Sequence, residues 1–194
     1  MIEPATNQRK RDAKMTRAAI LRSARKAFAA AGYDRAGVRE IAADAGVTAM
    51  MVRHYFGSKE QLFEAAVADA MDTPQIMRRD VLGADDLAHE LAKALVTNTA
   101  GGHPPLDGFL IIVRSIANPR AAEICRLQIE RYHQRQLGEA LAGDDARQRA
   151  AMALSIVAGF QIMRQLIQLS PLVDAPEDVL TDKLRSLFVL LFSR

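Results

Sequence analysis

The chain has no tryptophan, one cysteine and only 5% aromatic residues. With Cys125 alone, an intrachain disulfide and a metal site built from several cysteines of one chain are both excluded. A buried small apolar residue is the role expected of it, with redox sensing as the minority alternative. Long hydrophobic runs are missing as well. The longest, Phe109 to Val113 and Leu187 to Phe192, are far too short to span a bilayer. The beginning of the chain lacks a basic segment followed by an apolar stretch and a cleavage site, so export is not indicated and the cytoplasm is the expected location. There is no phosphate-binding glycine loop and no nucleophile elbow, and spacing defines no acid–base pair. Neither an enzyme nor a cofactor is therefore expected.

What is present describes a soluble globular protein of one large or two small domains: 194 residues, 49% hydrophobic and 25% charged. The formal net charge of +3 conceals an asymmetry. Residues 1–60 hold 12 Lys and Arg against 6 Asp and Glu, whereas residues 61–194 hold 14 against 17. A polyanion would be drawn to the first part only.

Within that basic part, Val38 to Lys59 reads VREIAADAGVTAMMVRHYFGSK. Val38, Ile41, Ala42 and Ala45 recur at helical spacing, and Gly46 follows where a left-handed residue would close the helix. Thr48 is placed to cap a second short helix, in which Ala49, Val52 and Phe56 share the inward face. The opposite face carries Met50, Met51, Arg53, His54 and, at its edge, Tyr55, groups suited to phosphates or base edges. Gly57 ends this helix and Ser58 caps the next. Lys59 then opposes the local helix dipole, which a nearby phosphate would explain. Upstream, Ile20, Ala24, Ala27, Phe28 and Ala31 trace a helix from about Met15 to Ala31, stopped by Gly32. These three helices have the layout of a DNA-reading head.

The stretch from about Ala18 to Leu62 resembles the TetR family of bacterial transcriptional regulators. Phe28, Gly32-Tyr33, Ile41-Ala42, Ala45-Gly46-Val47, Phe56 and Ser58-Lys59-Glu60-Gln61-Leu62 stand where the family has them. The resemblance implies a homodimeric repressor binding double-stranded DNA, with the helix Thr48 to Phe56 in the major groove and a C-terminal helical domain for a small-molecule inducer of unknown identity. Carried over by position, Arg39, Thr48, Ala49, Met50, Arg53, His54 and Tyr55 are its DNA-facing residues, and Lys59 is its phosphate-binding lysine. Two positions depart from the pattern. Arg53 stands where the recognition helix usually has Tyr, and Gly37 where a Thr usually caps the first motif helix. Losing that hydroxyl leaves the exposed amides of the helix N-terminus for a phosphate.

The expected fold is all-α with about nine helices. Residues 1–14 form a flexible basic arm, 15–60 the helix-turn-helix domain and 61–194 a ligand-binding and dimerisation domain. The arm is expected to be mobile because MIEPATNQRKRDAKMT is polar and contains Pro4. A helix from Lys59 to about Met71 leaves the head, and Pro74 interrupts it. A connector with at most a short helix runs to Gly83. Helices follow at Asp85 to Thr99, Leu106 to Ala117, Arg120 to Leu141, Asp144 to Leu169 and Pro176 to Phe192. In the helix Asp144 to Leu169, Met152, Ile156, Phe160, Met163 and Ile167 mark one face, and Leu154, Ala158, Ile162, Leu166 and Leu169 another. The final helix is also broadly apolar, so the last two helices are expected to pair with a second subunit.

Two weaker patterns remain. Glu130 and His133 form a single Glu-x-x-His pair, whereas carboxylate-bridged metal sites of helical bundles need a second copy, so no metal is expected. Phe109, Val113, Ile129, Met152, Ile156 and Phe160 are candidates to line a ligand cavity, with closed core as the equally open reading. A small helical-bundle enzyme or ligand carrier without DNA function is the competing class.

Overall fold

The computed structural model describes residues 5–72, 75–103 and 105–193, with side chains from residue 11 onward. The chain is 78% helical, and no strand occurs among the described residues. It divides into two compact units, residues 1–70 with 107–126, and residues 71–106 with 127–194.

In the first unit, α1 runs from Ala5 to Arg35 and kinks at Gly32, where φ is 73° and ψ 178°. The expected helix stop is thus a bend, after which Tyr33 to Arg35 resume helical geometry. Of the expected arm, residues 5–14 are helical and continuous with α1; residues 1–4 lie outside the described residues. The reason is physical. Between Pro4 and Gly32 no breaker occurs, and Gln, Arg, Lys, Ala and Met extend a nucleated helix at little cost.

Next come α2 (Val38–Asp44), α3 (Ala49–Phe56) and α4 (Lys59–Met71). Local capping sets each boundary. Gly46, at φ 69°, donates its N–H to Ala43 O, while Val47 N–H reaches back to Ala42 O at 2.9 Å, closing α2. Thr48 Oγ1 accepts from Met51 N–H at 3.3 Å and starts α3. Ser58 and Gln61 form a reciprocal capping box, each backbone N–H donating to the other's side chain at 3.1 Å. The core beneath them contains Ile20, Ala24, Phe28, Ile41, Val52, Phe56, Leu62 and Phe63. Phe63 meets Phe28 and Tyr33 edge-on at 5.0 Å.

The first unit also takes in α7 (Asp107–Ser115) and most of α8 (Pro119–Ile129). Helix α7 packs along α1, with Ile111 completely buried. This packing joins segments distant in sequence into one compact unit.

The second unit holds α5 (Arg79–Leu82), α6 (Leu87–Asn98), α9 (Arg135–Ala140), α10 (Ala146–Gln161), α11 (Ser170–Val173) and α12 (Glu177–Phe192). Two π-helical turns, Glu130–Gln134 and Ile162–Leu166, widen the helical runs that hydrophobic spacing had marked as uniform. Its core gathers Leu91, Leu95, Leu137, Ala153, Val157, Leu184 and Phe188, with α6 packed on α12. Two buried arginines close helix ends. Arg149 donates to the carbonyls of Ala142 and, at 3.1 Å, Leu191, and pairs with Asp145 at 2.7 Å. Arg164 donates to Val96 O at 2.7 Å, Thr99 Oγ1 at 3.0 Å and Leu172 O at 3.1 Å. A cation at the C-terminal end of α6 suits the helix dipole.

Neither apolar face expected on α10 is the buried one. The buried strip is Ala146, Arg149, Ala150, Ala153, Val157, Gln161 and, in the following turn, Arg164. Small and hydrogen-bonded residues allow close packing there. Met152 is consequently 57% exposed and Ile167 59%, and on α12 Leu190 is 76% exposed. The single chain thus leaves apolar surface on both helices.

Candidate nucleic-acid interface

Helix α3 buries Val52 and Phe56 and turns Met50, Arg53 and His54 to solvent. Met50, in its first turn, is 80% exposed, the most of any large hydrophobic residue described. Thr48 is exposed although its hydroxyl caps the helix, and Ala49 and Tyr55 are half-buried. Tyr55 meets His54 edge-on at 5.4 Å. Spacing alone had not singled out Arg17, whose guanidinium stacks 4.8 Å above the Phe56 ring and braces α3 from α1. Only the assembled core brings those two residues together.

Arg39 is exposed in the first turn of α2. The turn is capped by Gly37 without any side-chain hydrogen bond. A Cβ at Gly37 would lie 3.2 Å from Glu40 Oε2, so the Glu40 carboxylate folds over the position a Thr side chain would use. Its charge suits the positive end of α2.

Lys59 is half-buried at the start of α4. Its Nζ donates to Asp34 O at 3.1 Å and lies 4.9 Å from the Tyr33 ring centre. A lysine opposing the dipole of α4 therefore has an internal partner at the end of α1, and a phosphate is not required to explain it. Around it, Asn118 Nδ2 donates to Asp34 Oδ1 at 2.7 Å, and Tyr33 N–H donates to Ser115 Oγ at 3.0 Å. Arg120 donates through Nε and Nη2 to Glu60 Oε1 at 2.9 and 2.6 Å. This hydrogen bond holds the Glu60 carboxyl below its ordinary range, and burial pushes the Tyr33 hydroxyl above its own.

The other candidate positions are divided between the two units. Phe109 and Val113 belong to the first unit; Ile129, Met152, Ile156 and Phe160 belong to the second. Met152 is exposed on α10, whose buried strip is formed by its alanines. Ile156 and Phe160 pack against the core. Arg114 and Arg164 donate to helix carbonyls. Glu130 and His133 fall in a π-helical turn, which shifts side chains three apart off the shared α-helical face. Burial holds the His133 imidazole below its ordinary range. Among the described residues, no three His, Cys, Asp or Glu gather to hold a metal. No helix among them is long and apolar enough to cross a membrane.

A family model of bacterial regulatory proteins of the tetR family matches residues 20–66. A second model, of tetracyclin repressor-like C-terminal domains, matches residues 85–188. The chain belongs to the TetR family. Helices α2 and α3 are thus the DNA-binding helix-turn-helix of a TetR-family transcription regulator. Solved structures agree in fold. GusR of Salmonella enterica is 20% identical with a TM-score of 0.71, the match covering 92% of this chain and 96% of that one. The fatty acid degradation regulator FadR of Bacillus halodurans is 18% identical with a TM-score of 0.65, covering 91% and 98%. A TetR-family regulator of Streptomyces coelicolor A3 is 24% identical with a TM-score of 0.54, covering 93% and 96%. None of the curated proteins matches this TetR-family sequence.

Proposed function

We propose that this chain is a repressor that binds a pseudo-palindromic operator as a homodimer and is released by a small-molecule inducer. The observation that carries the reading is the outward strip of α3, where Met50, Arg53 and His54 stand exposed in the basic part of the chain. Arg53 has the fork geometry that reads guanine or grips phosphate, and Met50 offers an apolar contact for a thymine methyl group. Arg39, Thr48, Ala49, Tyr55 and Lys59 complete the proposed contact set. Dimerisation is supported by the apolar surface that α10, the π-helical turn after it and α12 leave open around Met152, Ile167, Leu187 and Leu190. A two-fold pair would present its α3 helices to half-sites roughly 34–36 Å apart.

The inducer is assigned to the C-terminal helices, with Ile129, Ile156 and Phe160 among the candidate contacts. For release, it must bind the DNA-incompetent conformation more tightly. A hundredfold preference corresponds to about 2.7 kcal/mol of coupling, ordinary for allostery. Genome-wide mapping of bound DNA tests the reading: a short pseudo-palindrome should be enriched upstream of a few genes, whose products point to the inducer class. Saturating binding of such a compound without loss of operator affinity would refute the switch for it.

A further inference from the structure

The turn between α7 and α8 sends three side chains to the residues that surround Lys59. Ser115 Oγ accepts from Tyr33 N–H at 3.0 Å, Asn118 Nδ2 donates to Asp34 Oδ1 at 2.7 Å, and Arg120 grips Glu60 Oε1 at 2.6 Å. Tyr33 and Asp34 are the two residues that hold the Lys59 ammonium. Glu60 is its neighbour in sequence. Arg120 also donates to Glu123 Oε2 at 2.6 Å, so one guanidinium serves two carboxylates. Without it, the Glu60 carboxylate would stand uncompensated next to the lysine meant for a phosphate.

We propose that Arg120 is a positioning residue for DNA binding: it holds the start of α4 and screens the Glu60 charge so that Lys59 can meet a phosphate. The inference rests on the DNA-binding reading of Lys59. It assigns a part in operator affinity to a residue outside the helix-turn-helix, some sixty positions downstream of the lysine that it serves. An acid next to a phosphate contact repels the DNA backbone, and pairing that acid with a fixed arginine removes the repulsion without adding a DNA contact.

The test uses the full-length protein and an operator fragment selected by the parent protein from random-sequence DNA. Arg120→Ala should weaken binding to operator and random DNA alike by about threefold to fivefold, the upper part of the scale of one exposed charge acting on another. Adding Glu60→Gln to that variant should restore affinity to within about twofold of the parent, since the repelling charge is then gone. Arg120→Lys, which keeps the charge, should bind nearly as the parent does, and urea midpoints of all three variants should confirm folding. Unchanged affinity in Arg120→Ala overturns the proposal. So does a loss that Glu60→Gln fails to restore, which would assign Arg120 to direct DNA contact or to the fold. Arg53→Ala on the same fragment keeps the two readings apart: if it loses specific binding while the Arg120 series stays flat, the DNA-binding reading stands and only this inference fails. A parent protein that selects no fragment over random DNA would overturn both.

Discussion

The backbone carbonyl of Arg114 occupies the place where a Cβ on Gly32 would have to stand. Its own guanidinium donates to the carbonyls of Ala29 and Ala30 at the end of the straight part of α1. One residue of α7 thus both closes that helix and leaves no room for a side chain at its kink.

Gly32 also sits at φ 73° and ψ 178°, a region essentially reserved for glycine. Gly32→Ala should therefore destabilise the protein by about 2 to 4 kcal/mol, backbone strain and collision together. Urea denaturation followed by circular dichroism checks this. A loss below about 0.5 kcal/mol, the size of an ordinary surface change, would mean that α7 does not pack on α1 as described.

Burial pushes the Cys125 thiol up to about 11. Its thiolate fraction at pH 8 should be about one in a thousand, so alkylation by iodoacetamide should be slow in the native protein and fast in urea. The folded value lies above the unfolded one. The neutral buried thiol therefore contributes stability that is complete below the unfolded pKa, about 8.5, and declines as pH rises toward about 11. Rapid native labelling at pH 8 would revive the redox-sensing alternative.

How much was readable in advance follows from where the determining contacts lie. Gly46, Thr48 and the Ser58–Gln61 box act within a few residues of themselves, and the helices they bound stand where spacing put them. The buried face of α10 was hidden, because Ala150, Ala153, Gln161 and Arg164 carry little hydrophobic signal while exposed Met152 and Ile167 carry much. Packing density and hydrogen bonding to α6 chose that face, and neither leaves a periodic mark. In the candidate interface the outward residues of α3 were legible from helical period alone. The partners of Lys59 were not, since Asp34 and Tyr33 lie about 25 positions upstream and meet it only in the folded head.

Leu190, on α12, is 76% exposed in the single chain. Leu190→Glu should leave folding intact and convert a dimer to a monomer at micromolar concentration, read by sedimentation equilibrium, because a charge buried in an apolar interface without a partner is costly. A parent protein that is already monomeric under those conditions would contradict the proposed helix pairing.

Lys59→Ala should lower affinity for operator and random DNA together and flatten the salt dependence by about one unit of slope. The same change removes the contact to Asp34 O, so a small loss of stability should accompany it. An unchanged salt slope with lowered stability would leave Lys59 an internal cap alone.

The central claim is that the exposed strip of α3 reads base sequence, and the most direct measurement compares Arg53→Ala with the parent on the selected operator and on random DNA at one salt concentration. The account predicts a loss of roughly 1 to 3 kcal/mol on the operator with little change on random DNA. Equal affinity of parent and variant for the operator would contradict it.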